Sequence, residues 1–112
     1  MKIKTNQLTG DALDWAVAKC AELPFPFAYD DYGREYPVSP STLWAQGGPI
    51  IEREGINLDN YGKNPRWSAW TPAPERESGE AQAYGPTPLI AAMRCYVTSK
   101  LGSEVEIPEE LK

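Results

Sequence analysis

The sequence predicts an α+β domain: a small antiparallel sheet with two packed helices, at about residues 11–22 and 88–101. Three observations carry this. Apolar residues recur at helical spacing in two stretches, one near each end of the chain. Between them, residues 24–86 hold nine of the eleven prolines and seven of the nine glycines, a density that favours short strands joined by turns and precludes a long helix. The length, 112 residues, suits one domain with one modest core.

The first helix follows Leu8-Thr-Gly-Asp11, with Thr9 as cap and Asp11 placing negative charge in the first turn. Ala12, Leu13, Ala16, Val17 and Cys20 form its apolar stripe, and Leu23-Pro24 ends it, since a residue before proline is pushed out of the helical region. Trp15 falls on the opposite face from Leu13 and Val17, so either a second element covers it or it lines a binding surface. The second helix is led in by Gly85-Pro-Thr-Pro88, with Thr87 as cap and Pro88 at the first helical position. Leu89, Ile90, Met93, Val97 and Leu101 make its stripe, and Gly102 stops it behind Lys100. Strands are expected at 25–29, 49–53 and 66–71. Turns are expected at Asp30-Asp-Tyr-Gly33 and Asp59-Asn-Tyr-Gly62, and a mobile loop over 71–80. The tail brings Val105 and Ile107 to alternate positions, fit for an edge strand or for draping over the core.

Composition excludes several functions. The chain has no histidine, which removes His-based triads, most zinc sites and any imidazole proton shuttle. The formal charge is −5 with no block of Lys or Arg, so neither a nucleic-acid polymer nor an anionic membrane is an expected partner. No apolar run is long enough to span a bilayer, and Met1-Lys-Ile-Lys-Thr5 leads directly into polar residues without a signal-peptide core. Cys20 and Cys95 are too few and too far apart for a disulfide framework. They are expected as small reduced core residues where the two helices touch, in a cytoplasmic protein.

Enzyme signatures are sparse. Gly47-Gly48 lacks the spacing of a phosphate loop, no serine has a lysine three positions on, and the carboxylates match no calcium loop. Only a carboxylate-only hydrolase stays open, because acid–base work needs no more than two tuned Asp or Glu residues. No enzyme, no cofactor and no metal are therefore expected. The aromatics say more. Trp15, Trp44, Trp67 and Trp70 stand beside six tyrosines; they either replace the scarce Leu, Ile and Phe of the core or supply a binding surface. In Trp67-Ser-Ala-Trp70, strand alternation sends the two rings to opposite faces.

Three long strings, Leu8-Thr-Gly-Asp-Ala-Leu-Asp-Trp-Ala-Val-Ala-Lys-Cys20, Tyr36-Pro-Val-Ser-Pro-Ser-Thr-Leu-Trp-Ala-Gln-Gly-Gly-Pro-Ile-Ile-Glu-Arg-Glu-Gly55 and Gly85-Pro-Thr-Pro-Leu-Ile-Ala-Ala-Met-Arg-Cys-Tyr-Val-Thr-Ser-Lys-Leu-Gly102, resemble NinX-type proteins. These are small proteins of lambdoid phages and enterobacterial prophages. The resemblance covers more than half the chain but not the segment 72–84 or the Phe25 region. It implies a phage accessory protein in the cytoplasm of a bacterial host, and it brings across no catalytic residue.

Such a protein can bind a small molecule, such as a nucleotide-derived signal of host defence, or bind and modulate a host or phage protein. The first reading leads. Trp44, Gln46, Gly47 and Gly48 on a central loop, with Thr87 and Arg94 at the second helix, would form a pocket for a nucleotide-like or other anionic ligand. Stacking on Trp44 would hold a base, while backbone N–H groups and the guanidinium would hold charge. The protein-binding alternative calls for an exposed flat aromatic patch. Spare apolar area also favours a homodimer.

Overall fold

A computed structural model describes residues 1–60, 66–74 and 76–111. The element order is β1 (Lys2–Lys4), a short 3-10 turn, α1 (Gly10–Ala21), β2 (Phe27–Tyr29), β3 (Glu35–Pro37), α2 (Trp44–Glu54), β4 (Asn57–Asn60), β5 (Trp67–Pro72), β6 (Glu80–Gly85), α3 (Pro88–Leu101), β7 (Glu104–Glu106) and a closing 3-10 turn. The α+β class stands. The sheet is divided in three: an antiparallel β4-β5-β6 meander, a β2-β3 hairpin, and a β1-β7 pair that joins the two ends of the chain.

The second predicted helix, α3, is the centre of the molecule. Thr87 caps it as expected, its Oγ1 accepting the Ile90 N–H at 3.0 Å, with Pro88 in the first turn. Leu89, Met93 and Val97 of the expected stripe are buried, and so are Ala91, Ala92, Cys95 and Tyr96. Both sides of the helix are covered, by the meander on one and by α1 and α2 on the other, so its buried face is far wider than a stripe. Leu101 is the exception: at the last turn it lies beyond the covering elements and is exposed. Ile90 is half-buried.

Small residues set how closely α3 meets the meander. Ala69 on β5 pairs with Ala83 on β6; both are fully buried, as is Ala81. A Cβ on Gly85 would lie 2.7 Å from the Ala91 backbone nitrogen. Trp67 is half-buried and Trp70 exposed, as strand alternation requires. The tail forms an edge strand: Ile3 pairs with Val105, and the Met1 ammonium bonds the Ile107 carbonyl at 2.9 Å.

α1 spans Gly10–Ala21 and ends with Glu22 in the left-handed region, φ 57°. Thr9 stands at its N-cap through its backbone carbonyl, while its hydroxyl makes no cap bond. The larger correction concerns the middle of the chain. Residues 49–53 are not a strand and Trp44-Ala-Gln-Gly-Gly48 is not a loop; together they are the eleven-residue α2, with Pro49 inside it. Gly47, Ile50, Ile51 and Glu54 recur at helical spacing and form the inward face, and burial of Ile50 offsets the bond that Pro49 cannot donate. Gly55 closes the helix at φ 64°.

The turn expected at 59–62 lies partly outside the described residues, as does Glu75 in the segment 71–80. The described part of that segment is the neck of the β5-β6 hairpin, where Ala73 N–H donates to Gly79 O at 2.9 Å. Arg76 ties it to α3 through the Thr98 carbonyl, 3.3 Å away.

Candidate interaction face and the neighbouring clefts

The β2-β3 hairpin stands away from the main core. Behind it, among the described residues, lies a small cluster of Ala18, Ala28, Val38 and Phe25. Register places Phe27 opposite Pro37, Ala28 opposite Tyr36 and Tyr29 opposite Glu35. Ala28 points into the small cluster, so Phe27 and Tyr29, on the other side of the strand, point outward. Phe27 is 48% exposed, Tyr29 67%, Tyr32 84% and Tyr36 41%. Phe27 and Tyr29 thus share the outward face, Tyr36 lies on the Ala28 side of the hairpin, and Tyr32 sits at the turn.

Its turn is braced. Asp30 Oδ1 accepts the N–H groups of Tyr32 and Arg34, each at 2.9 Å, and Oδ2 accepts Arg34 Nε at 3.0 Å. The Arg34 N–H and, to a lesser degree, the Tyr32 N–H and Arg34 guanidinium hold the Asp30 carboxyl below its ordinary 3.8. Gly33 supplies the positive φ of 77° that the turn requires. The Arg34 guanidinium lies 5.1 Å from the Tyr32 ring centroid. These bonds pre-organise the turn, which lowers the ordering cost of binding.

At the base of the hairpin is a cleft of about 570 Å³. Its walls are Trp15 from α1, Phe25, Pro26 and Phe27 from β2 and its lead-in, Pro37 from β3 and Val38 just after it, and Pro108 and Leu111 from the tail. Its polar groups are Asp11, Asp14, Ser39 and Glu110. Trp15 is thus half-buried against the main core and also faces a cleft. Asp14 is 4% exposed, with Oδ1 accepting the Ser41 N–H at 2.9 Å and Oδ2 the Ser39 hydroxyl at 3.2 Å. These bonds fix the segment after β3 against α1.

The six residues singled out by sequence do not line one pocket. Trp44, 54% exposed, and Thr87 share a cleft of about 240 Å³ with Ser41, Thr42, Pro88, Leu89 and Ile90. Thr87 is already committed to Ile90 through its hydroxyl and to Ala91 through its carbonyl. Gln46 braces the hairpin: its Oε1 accepts the Ser39 N–H at 2.7 Å and its Nε2 donates to Pro37 O at 2.8 Å. Gly47 is a packing position, where a Cβ would come within 2.5 Å of both the Pro40 carbonyl oxygen and a Leu89 methyl. Gly48 faces open space.

Arg94 belongs to a third cleft, about 390 Å³, with Asn6, Arg66, Tyr84, Gly85 and Pro86. It donates from Nε to Leu8 O at 2.7 Å and from Nη1 to Tyr84 O at 2.8 Å, and burial lowers its pKa. Arg66 lies 4.2 Å from the Tyr84 ring centroid. Sequence reasoning missed this pair and also the four hairpin rings. The signal for the hairpin was present: Phe25, Phe27 and Tyr29 alternate ahead of an Asp-Asp-Tyr-Gly turn, on a strand with little to bury against.

Burial pushes the Cys95 thiol up to about 12 and the Cys20 thiol to about 11, the latter against the opposing pull of Lys100 and Lys19. Both are free and protonated at neutral pH, hence poor nucleophiles. Among the described residues no group of three or more His, Cys, Asp or Glu side chains could hold a metal ion, and no helix is long and apolar enough to cross a membrane. No curated protein matches the chain. Residues 4–100, however, match the family described as Bacteriophage P22, NinX. With most of its length covered, including α1, the hairpin, α2 and α3, the chain belongs to the NinX family of phage proteins.

Proposed function

We propose that this phage protein acts without catalysis, by binding a host or phage protein through the β2-β3 hairpin and the cleft at its base. One observation carries the reading: Phe27 and Tyr29 on the outward face of a braced hairpin, and Tyr32 at its turn, are exposed beside a cleft of about 570 Å³. Covering these rings removes roughly 400 Å² of aromatic surface from water. At about 25 cal/mol per Å² that contributes roughly 10 kcal/mol. Association itself costs about 4–15 kcal/mol. The hairpin alone supports weak binding, and stable binding also needs the cleft. The test is an affinity pull-down from phage-infected cells with the wild-type chain and the Tyr29→Ala/Tyr32→Ala variant. Both substituted side chains are exposed, so the variant keeps its fold. A partner retained stoichiometrically by the wild type and lost by the variant supports the reading; equal retention refutes it.

A second reading, capture of a small nucleotide-like anion, is favoured by the Arg66–Arg94 cleft. Its lining holds two guanidiniums, the Asn6 amide and the Tyr84 ring, and no carboxylate, on a chain of charge −5. Thr87 lies on the adjoining lead-in to α3, while Trp44, at the start of α2, shares a separate cleft with it. A thermal-shift screen against linear and cyclic nucleotides tests it, since a ligand at one hundred times its Kd stabilises the fold by about 2.7 kcal/mol. Absence of any shift, with Arg94 still bonded to its two carbonyls, removes this reading.

A further inference from the structure

We infer that the cleft at the base of the hairpin is an anchor site for a basic side chain of the partner, an arginine in particular. The inference rests on the protein-binding reading and names the chemistry of the partner. The cleft joins apolar rings, Trp15, Phe25 and Phe27, to three carboxylates, Asp11, Asp14 and Glu110, and no Lys or Arg is among its lining residues. An anion would meet repulsion from all three. A purely apolar side chain would strip water from them without return. A guanidinium answers both halves of the site: it stacks on aromatic faces, pairs with carboxylates in a planar fork, and is more weakly hydrated than an ammonium.

Asp14 adds a specific pull. It is almost fully buried, its bonds come from the neutral Ser41 N–H and Ser39 hydroxyl, and among the described residues no ion pair reaches it. Lys19 lies 5.2 Å from the Trp15 centroid but does not line the cleft. Asp11 and Glu110 are exposed at the rim and take part in no ion pair among the described residues. A volume of about 570 Å³ falls within the size range of small-ligand sites, enough for one long side chain and part of its neighbour. The overall charge of −5 steers a basic segment toward the molecule, while the cleft selects where it docks.

The test measures fluorescence anisotropy of a labelled hexa-arginine peptide and of its hexa-citrulline counterpart, which keeps the shape and removes the charge. The arginine peptide should bind the wild-type chain at least tenfold more tightly than the citrulline peptide. The Asp11→Asn/Glu110→Gln variant should weaken arginine binding about tenfold. The Glu52→Gln/Glu104→Gln variant removes the same charge from exposed positions outside the cleft and should stay within about threefold of wild type. Circular dichroism verifies that both variants are folded; if the rim variant is not, Phe27→Ala takes its place, with the same loss expected. Equal losses in the two charge variants reveal diffuse attraction and overturn the inference, as does arginine binding that ignores the rim. Loss of the infected-cell partner on Tyr29→Ala/Tyr32→Ala, with no arginine preference at the rim, leaves the hairpin reading standing and overturns the anchor alone. A particle of twice 12.4 kDa that Phe27→Ala returns to 12.4 kDa assigns the face to a second copy and overturns the anchor.

Discussion

Gly47 and Gly48 are adjacent in α2, yet alanine should have opposite effects at the two positions. Both sit inside a helix, where replacing glycine by alanine contributes about 1 kcal/mol through propensity. At Gly48 the new methyl meets open space, so Gly48→Ala should stabilise by roughly that amount. At Gly47 the Cβ would come within 2.5 Å of the Pro40 carbonyl oxygen and of a Leu89 methyl. Leu89 can rotate away, but Pro40 O is backbone in a segment held by Asp14 and Gln46, so α2 must lift off. Overpacking of this kind costs about 1–3 kcal/mol. Propensity cancels between the two variants, leaving the steric cost as their difference, about 1–3 kcal/mol, at about 4–8 °C of Tm for each kcal/mol. Thermal and urea melts of both variants, followed by circular dichroism, measure it. A Gly47→Ala protein as stable as Gly48→Ala would refute the docking of α2 on Pro40 and Leu89.

Four further outcomes follow from the same contacts. Met93→Ala, at a fully buried position on α3, should cost roughly 2–4 kcal/mol in urea unfolding; a cost below about 0.5 kcal/mol would place it at the surface. Arg94→Leu leaves the Leu8 and Tyr84 carbonyls without their donor and should cost about 1–3 kcal/mol, measured in the same way. Cys20 and Cys95 should resist a thiol reagent at pH 7 in the native protein and react once it is unfolded, because burial raises both pKa values; rapid native labelling would contradict that. The Asp30 carboxyl titrates below its ordinary 3.8, so its support for the turn is complete above that pH and lost as pH falls through the lower native value. In NMR the amide signals of Tyr32 and Arg34 should therefore hold steady from pH 7 to 4.5 and move only in stronger acid.

Where local chemistry decides the structure, the sequence was readable. Gly-Pro-Thr-Pro followed by an apolar repeat specifies the start of α3 to the residue, and Asp30 with Gly33 specifies a turn. α2 was hidden because Gly-Gly-Pro carries the strongest breaking signal in the chain, while the inward spacing of Gly47, Ile50, Ile51 and Glu54 has meaning only once Pro40 and Leu89 are there to meet it. Tertiary contact overrides propensity there. The same cause separates the six expected site residues. Gln46 and Arg94 look like ligand-binding side chains in one dimension, but in three they satisfy the carbonyls of Pro37, Leu8 and Tyr84. Four tryptophans drew attention away from Phe27, Tyr29, Tyr32 and Tyr36, whose exposure depends on how little lies behind the hairpin.

The claim that the hairpin and its cleft form the binding face is tested most directly by NMR mapping. The ¹⁵N-labelled chain is titrated with the partner captured from infected cells, and amide and indole shifts are followed. The account predicts perturbations at Phe27, Tyr29, Tyr32, Leu111 and the Trp15 indole, with Arg66, Tyr84 and Arg94 unmoved. Shifts gathered around Arg66, Tyr84 and Arg94, with the hairpin silent, would contradict it.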